Sequence, residues 1–314
     1  MAADLTSLIR RSPAGLWPGL GQRPRPWQGE AVSTDPTAPD SAARSRRVAA
    51  VFDRAAQTYD SVGVPWFTPI AEHLVRELAP VPGEQILDLG SGRGAAVFPL
   101  AEAVGPTGHV TGVDLAEGMV RALRSDVASR GLSTVDVHLL DAAAPDLGGR
   151  TFDVLTSSLV LFFLPDPAGA VKNWYHLLVP GGRVGVSTFG VQDPLWLEVD
   201  SVFTPYLPKQ LLDARTSGTS GPFGSDAGVA ALFERAGFTG VRTTNLDVTV
   251  TFKDADQWYD WSWSHGQRAM WEFVPEDRRP EVRSAATQAL EAARTAAGAL
   301  ALTQQIRYTL ATRP

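Results

Sequence analysis

The stretch from Glu84 to Leu100 constrains the fold more than any other part of the sequence. It opens with a short apolar run, Ile86 to Leu89, and glycine then recurs at every second position as Gly90, Gly92 and Gly94. An apolar pattern with helical spacing follows the last glycine. A strand, a glycine-rich turn and a helix form the entry to a βαβ unit, whose turn lets backbone N–H groups approach a bound ligand closely. The stretch therefore predicts an α/β sheet with a ligand site at this turn.

The glycine spacing by itself fits two kinds of ligand. Gly90, Gly92 and Ala95 also satisfy the fingerprint of dinucleotide-binding folds, and Asp114 lies near the position expected for a ribose-binding acid. Asp88, two residues before the first glycine, separates the two interpretations. Its carboxylate would repel a nearby pyrophosphate, whereas it would attract a ligand that carries a cationic amino group.

The series Asp88-x-Gly90-x-Gly92-x-Gly94 resembles the first motif of class I S-adenosylmethionine-dependent methyltransferases, with every glycine in place. The resemblance implies S-adenosyl-L-methionine as cofactor, because its methionyl end carries a cationic amino group. It also implies a Rossmann-like, doubly wound α/β fold. The seven-stranded sheet would be mostly parallel with an antiparallel last strand, and a helical lid would cover it. Ser91, within the turn, is then a predicted cofactor-binding residue.

Two more acids follow predicted strands. Asp114 stands at the end of the strand His109 to Val113, and Asp141 follows the strand Val135 to Leu140. Ligands of open parallel sheets bind in the crevice at the carboxyl ends of the strands. Together with Asp88, these acids indicate that the ligand binds at one edge of the sheet, because chance rarely places acids at the ends of three successive strands. By the resemblance, Asp114 accepts hydrogen bonds from ribose hydroxyls and Asp141 from the adenine amine.

Further cofactor contacts follow from the resemblance. Val51 to Asp60 resembles the element that precedes the core in methyltransferases of ubiquinone and menaquinone biosynthesis, where it packs over the cofactor. Tyr59 is therefore a predicted lid or cofactor contact, with anchoring of the helix end as the alternative. Ser157 to Asp166 resembles the fourth motif, whose backbone borders the sulfonium. The remaining predicted cofactor-binding residues are Leu115, Met119, Ala142 and Ser157.

Composition narrows the classes of protein and partner. A net charge of −6 argues against nucleic acid as the main partner. The absence of cysteine excludes disulfides, thiolate catalysis and cysteine-ligated metals, and the histidines have no partners at metal-ligand spacing. No apolar run approaches the roughly 20 residues of a membrane span, and the N-terminus has no signal pattern. We therefore predict a cytoplasmic protein with no metal, acting on a small molecule.

The predicted domain organisation follows the changes in pattern along the chain. The strands Val241 to Phe252 and Leu302 to Thr312 are expected to pair antiparallel and close the sheet. Exchange of the N-terminal tail between subunits, and hence a homo-oligomer, stays open. The predicted segments are a mobile tail (1–40), an N-terminal helical lid segment (41–83), a cofactor-binding core (84–190), inserted helices of an acceptor lid (191–238), and the last strands with an aromatic-rich helical cap (239–314).

The helix predicted after Asp254 suggests the acceptor site. Gln257 is the expected capping partner of Asp254, and Trp258, Trp261 and His265 have the spacing of one helix face. These aromatic side chains either bury the lid or bind the acceptor. His265 is the predicted catalytic base, because a histidine titrates near neutral pH, with a hydrogen-bonded histidine of the lid as the alternative. Glu198, Tyr206 and Asp260 are the reserve candidates. The predicted acceptor pocket comprises Trp66, Trp196, Tyr206, Trp258, Trp261 and His265.

Three functions remain open at this point. The first is methyl transfer to the O or N of an apolar or aromatic small molecule, in specialised metabolism. The second is C-methylation of a prenyl chain, alkene or other carbon nucleophile, with a cation held by aromatic faces. The third is an NAD(P)-dependent oxidoreductase or a non-catalytic ligand-binding protein. Asp88 and the turn Pro180-Gly181-Gly182, which is typical of class I methyltransferases, oppose the oxidoreductase.

Overall fold

A computed structural model describes residues 39–208 and 221–314 of the 314-residue chain. The predicted mobile tail, residues 1–40, lies outside the described residues except for Pro39 and Asp40, which begin the first helix. Residues 209–220 of the predicted acceptor lid also lie outside them.

A seven-stranded sheet forms the centre of the fold, in the order β3-β2-β1-β4-β5-β7-β6. β7 runs antiparallel to both of its neighbours, and the other pairs are parallel. The predicted Rossmann-like sheet with an antiparallel last strand is therefore confirmed. The strands are β1 (Gln85–Leu89), β2 (His109–Asp114), β3 (Val135–Leu139), β4 (Phe152–Ser158), β5 (Leu178–Gln192), β6 (Thr239–Phe252) and β7 (Leu300–Thr312).

Helices connect and cover these strands. Those of the first half are α1 (Pro39–Ala55), α2 (Phe67–Leu78), α3 (Val97–Val104), α4 (Glu117–Ser129) and α5 (Pro167–Leu177). Those of the second half are α6 (Pro194–Ser201), α7 (Asp226–Arg235), α8 (Ala255–Trp263), α9 (Arg268–Phe273) and α10 (Arg279–Leu290). No helix within the described ranges combines the length and the apolar character needed to cross a membrane.

The central strand β1 is buried almost throughout, as expected for a parallel strand covered on both faces. It pairs in register with both neighbours, so that Asp88 lies opposite Gly112 of β2 and Thr156 of β4. The backbone N–H of Gly90 then donates to the carbonyl of Val113 at 2.8 Å. This pairing places the glycine turn directly beside the end of β2.

Capping side chains fix where helices begin. Asp166 precedes Pro167 and accepts a hydrogen bond from the N–H of Gly169 at 2.9 Å, at the start of α5. Asp254 accepts from the N–H of Gln257 at 2.8 Å at the start of α8, as the sequence predicted. The aromatic-rich helix does not continue through the region of His265, because α8 ends at Trp263 and α9 begins only at Arg268.

Two helices that the sequence assigned to lids belong to the layers around the sheet. α2, from the segment 41–83, packs against β4, β5 and β7 and buries Ile70, Leu74 and Leu78. α7, from the segment 191–238, packs against α5 and β6. Both helices pack their apolar faces against strands of the sheet, which places them in the helical layers around it.

Candidate functional site

One pocket lies where β1, β2, β3 and β4 end, and α1 supplies its opposite wall. Each strand contributes the residues that directly follow it or that close it. This is the position at which open α/β sheets bind ligands. The lining consists of Ser45, Val48, Ala49, Phe52, Tyr59, Gly90, Gly92, Asp114, Leu115, Met119, Asp141, Ala142, Ser158, Leu159, Val160, Phe163 and Leu164.

The structure brings most of the predicted cofactor-binding residues together in this pocket. They come from four separate stretches of the sequence, three of which the parallel register of the strands brings together. The predicted residues in the lining are Tyr59, Gly90, Gly92, Asp114, Leu115, Met119, Asp141 and Ala142.

Four predicted cofactor contacts, Asp88, Ser91, Gly94 and Ser157, lie outside the lining. The hydroxyl of Ser157 is buried and donates to the carbonyl of Leu89 at 3.0 Å. The reason is that Ser157 lies within β4, which ends only at Ser158, and side chains alternate along a strand. The neighbouring Ser158 therefore takes the place in the lining that the sequence assigned to Ser157.

The glycine turn has the shape of a ligand cradle. Gly90 has φ of 80°, and a Cβ at this position would clash with the side chain of Val160. Gly92 has φ of 49°, and a Cβ there would meet no atom within 4 Å. Glycine at these positions is therefore required by the backbone conformation, and the space beside Gly92 is open to a ligand.

Asp114 is held firmly at the edge of the pocket. Its carboxylate accepts hydrogen bonds from the N–H of Gly92 at 2.8 Å and from the N–H of Ala116 at 2.9 Å. Burial raises the pKa of Asp114, and these hydrogen bonds oppose the shift. Because each carboxylate oxygen can accept more than one hydrogen bond, Asp114 retains capacity for ligand hydroxyls. Asp141, at the same edge, accepts from the N–H of Ala143 at 2.8 Å.

Asp88 lies beneath the pocket and does not line it. It is 2% exposed, and the hydroxyl of Thr156 donates to it at 2.5 Å. Burial raises the pKa of Asp88 to about 7, and the charge of Asp114 adds to the shift. We predicted a direct contact of Asp88 with a ligand cation, whereas the side chain lies below the pocket surface.

The raised pKa of Asp88 predicts that the protein becomes less stable as the pH rises. Between the ordinary aspartate pKa and about 7, the folded state binds more protons than the unfolded state. The contribution is thus present at low pH and is lost by up to about 1.4 kcal/mol per pH unit through this window. Urea denaturation at a series of pH values should show that Asp88→Asn gains stability over the unmodified protein as the pH increases. Parallel stability curves for the two proteins would contradict the assignment.

Several polar contacts fasten α1 to the core beside the pocket. The carboxylate of Asp53 accepts from the N–H of Gly118, at the start of α4, at 2.6 Å. Arg93, from the glycine turn, donates to the carbonyl of Ala56 and to Asp126, both at 2.6 Å. Because Arg93 bridges the end of α1 and α4, the wall that α1 forms is attached to the glycine turn itself.

The pair Tyr59 and Asp60 connects this wall to α2. Asp60 accepts hydrogen bonds from the N–H groups of Trp66, Phe67 and Thr68, at 3.0 to 3.3 Å. The ring of Tyr59 stacks on Phe67, with centroids 4.5 Å apart. Burial raises the pKa of Tyr59 well above its usual value, so its hydroxyl stays protonated. Tyr59 thus both lines the pocket and anchors the helix end, and the two interpretations of the sequence are compatible.

The predicted acceptor residues separate into different groups. Trp66, Trp196 and Trp261 pack with ring centroids 5.4 to 6.2 Å apart, and His265 lies 4.1 Å from Trp261. We call these four residues the aromatic cluster. Trp258 instead packs near Trp271, 6.3 Å away. Tyr206 hydrogen-bonds the half-exposed Arg278.

The aromatic cluster borders the pocket through rings that the sequence analysis did not assign to the site. Phe52 and Phe163 line the pocket 5.5 Å apart, and a Cβ on Gly266 would lie 3.6 Å from Phe52 and 4.0 Å from Phe163. Gly266, the residue after His265, therefore lies against two rings of the pocket lining. The helical spacing of Phe52 was the available signal, but it fits core packing equally well.

His265 differs from the expectation of a near-neutral base. Burial lowers its pKa to about 3. Its Nδ1 accepts a hydrogen bond from the N–H of Gln267 at 3.3 Å. Rings that are distant in sequence bury His265 and thereby lower its pKa. The local sequence around His265 does not predict this burial.

Leu159 shows backbone strain at the pocket. It adopts φ of 57°, a conformation that L-residues rarely take. Its N–H donates to the carbonyl of Ser187 at 3.0 Å and to the hydroxyl of Ser187 at 3.1 Å. β5 therefore holds this strained residue in place, which is typical of functional loops.

Comparisons with known proteins agree with this geometry. Residues 86–182 match the methyltransferase domain family. The chain is 39% identical over 269 residues to nocamycin O-methyltransferase of Saccharothrix syringae, covering 82% of this chain and 95% of that protein. It is 38% identical over 168 residues to aklanonic acid methyltransferase of Streptomyces sp. strain C5, covering 54% of this chain and 76% of that protein.

The fold also resembles a solved methyltransferase structure. This is Haemonchus contortus phosphoethanolamine N-methyltransferase 2 in complex with S-adenosyl-L-methionine, at 15% identity and a TM-score of 0.53. The match covers 83% of this chain and 57% of that one, and it supports the fold alone. The family match, the identity to nocamycin O-methyltransferase and the pocket at the glycine turn lead to one conclusion. The chain belongs to the class I S-adenosylmethionine-dependent methyltransferases.

Proposed function

We propose that this enzyme transfers the methyl group of S-adenosylmethionine to an oxygen atom of an apolar small molecule. The main support for this proposal is the 39% identity to nocamycin O-methyltransferase across 95% of that protein's length. The name of that relative specifies oxygen, and the name of the second relative specifies an acid as its substrate. The rings beside the pocket support an apolar acceptor body.

The pocket residues fit the cofactor. When bound, S-adenosylmethionine supplies an electrophilic methyl group on a sulfonium. Asp114 would accept hydrogen bonds from the ribose hydroxyls and Asp141 from the adenine amine. The open space beside Gly92 would accommodate part of the bound cofactor. These assignments follow the donors and acceptors that the pocket presents.

The aromatic wall would exclude water and position the acceptor. Phe52, Tyr59 and Phe163 line the pocket, and Trp66 and Trp261 are almost completely buried. A dry site favours methyl transfer over competing hydrolysis. Alignment of the acceptor oxygen with the methyl carbon then lowers the activation free energy, because binding has already restricted the translation and rotation of the reacting groups.

Two measurements test the proposed function. Calorimetric titration should show binding of S-adenosylmethionine. Incubation of the enzyme with methyl-¹³C-labelled S-adenosylmethionine and a panel of hydroxylated, carboxylated and aminated aromatic compounds should then give labelled products. The carbon-13 shift of the product distinguishes O-, N- and C-methyl groups. Products labelled only on nitrogen or carbon would contradict the proposal while leaving the family assignment intact.

A further inference from the structure

Two buried N–H groups without partners lie on adjacent rings of the aromatic cluster. Nε1 of Trp261 and Nε2 of His265 are both buried, and neither has a hydrogen-bond partner among the described residues. The two ring centroids are 4.1 Å apart. An unpaired buried donor is costly, and native proteins contain few of them. On contacting rings, the two donors offer a ligand two hydrogen bonds at one place.

The hydrogen bonding of His265 identifies which nitrogen carries the proton. The backbone N–H of Gln267 donates to Nδ1 at 3.3 Å, so the lone pair of the neutral ring lies on Nδ1. Nε2 then carries the hydrogen. Because burial lowers the pKa of His265 to about 3, the ring stays neutral at physiological pH. Its buried Nε2 is a hydrogen-bond donor and has no lone pair with which to accept a proton.

The charged groups around His265 do not convert it into a base. In histidine bases, a carboxylate commonly accepts from Nδ1–H and stabilises the imidazolium. Here Asp200 accepts instead from the side-chain amide of Gln267 at 2.8 Å. Glu272 accepts from Arg268 at 3.1 Å and from Arg54 at 2.7 Å. Burial is the cause of the pKa shift of His265, and no neighbouring charge contributes to it.

A series of contacting rings connects the two donors to the pocket. The ring of Phe67 contacts His265, with centroids 5.6 Å apart, and stacks on Tyr59, which lines the pocket. Two rings, those of Tyr59 and Phe67, thus link the pocket to His265, and the neighbouring Gly266 lies against Phe52, which lines the pocket.

We propose that Trp261 and His265 donate hydrogen bonds to an acceptor molecule that enters the site already ionised, as a carboxylate or as an acidic enol or phenol. This inference rests on the proposed O-methylation. In the transfer, an oxygen lone pair of the acceptor forms the bond to the methyl carbon, and the carbon–sulfur bond breaks with its electron pair staying on sulfur. The oxygen enters as an anion and leaves as a neutral ester or ether, so the protein needs no base.

Nitrogen-15 NMR of the enzyme tests the donor role directly. The protein contains five histidines, and comparison with His265→Gln assigns the signal of His265. In the enzyme bound to S-adenosylhomocysteine, His265 should show the neutral Nε2–H form at every pH from about 5 to 9. Addition of 1-naphthoate as a probe should shift the N–H signals of His265 and Trp261. A titrating imidazolium, or a probe that moves neither signal, would overturn the proposal.

Variants separate donation from basicity. His265→Leu and Trp261→Phe should each weaken naphthoate binding by about 10- to 100-fold, as expected for loss of a hydrogen bond to a charged group. His265→Gln should retain most of the affinity, because its amide still donates. Trp258→Phe, outside the aromatic cluster, is the matched control, and cofactor titration verifies folding. Equal losses in His265→Gln and His265→Leu, or equal binding of neutral 1-naphthamide, would refute the donor role.

Failure of this inference is distinguishable from failure of the proposed function. N- or C-methylated products would disprove O-methylation, whereas the NMR form of His265 and the naphthoate response do not depend on turnover. Conversely, the donor role cannot be assigned to His265 if this residue titrates while the product is O-methylated. That result would support the proposed O-methylation and contradict hydrogen-bond donation by His265.

Discussion

Replacement of Asp114 by alanine is expected to abolish measurable binding of S-adenosylmethionine. The variant loses the acceptor for two ribose hydroxyls, and it leaves the N–H groups of Gly92 and Ala116 without their partner. A hydrogen bond to a charged group contributes about 1.5–3 kcal/mol. Loss of two such bonds therefore predicts an increase in the dissociation constant of roughly 100-fold or more. Calorimetric titration measures the change.

Asp141→Ala is the matched comparison for Asp114→Ala. Asp141 would contribute one hydrogen bond to the adenine amine, so its removal should weaken binding by about 10- to 100-fold and leave it measurable. Thermal unfolding monitored by circular dichroism must show that both variants are folded. If Asp114→Ala binds the cofactor as tightly as the unmodified protein, the ligand does not occupy this pocket.

Trp174→Ala should produce the largest loss of stability among simple substitutions near the site. Trp174 is completely buried, and its Nε1 donates to the carbonyl of Ala142 at 2.7 Å. Truncation of a buried tryptophan costs about 3–5 kcal/mol of unfolding free energy. Because Ala142 follows Asp141 in the pocket lining, cofactor affinity should also decrease. Urea denaturation and calorimetric titration measure the two effects.

Two further variants separate the loss of the hydrogen bond from the loss of the buried ring in Trp174→Ala and provide an exposed-site control. Trp174→Phe keeps an apolar ring but removes the hydrogen bond to Ala142, so it should cost less than the alanine variant while still disturbing the loop after β3. Val81→Ala, at a side chain that is 53% exposed, should change stability by less than about 0.5 kcal/mol. A Trp174→Ala protein as stable as Val81→Ala would show that α5 is not firmly packed on this loop.

The sequence was sufficient to predict the sheet and the cofactor edge. Each predicted strand was an apolar run, and each of the first three was followed by a glycine turn or an acid. Parallel pairing then required these ends to meet, and the structure indeed places Asp114 within hydrogen-bonding distance of Gly92. Local pattern and global topology agree here, which explains why Gly90, Asp114 and Asp141 could be assigned to one pocket.

The acceptor side could not be predicted to the same depth. Whether Ser157 or Ser158 faces the pocket depends on where β4 ends, and a shift of one residue reverses the face. The division of the tryptophans depends on the break between α8 and α9. The pKa of His265 depends on burial by rings that are distant in sequence, such as Phe67. None of these properties is encoded in local spacing.

The position of β7 has a consequence for how the protein is made. β7 lies between β5 and β6, and it supplies the partners of both strands. While a ribosome is still extending the chain, β5 exposes an open edge and β6 has no partner until residues 300–312 emerge. Unpaired edges of this kind promote aggregation. The nascent chain therefore passes through a vulnerable interval of roughly 100 residues, in which chaperone protection of β5 would matter most for yield.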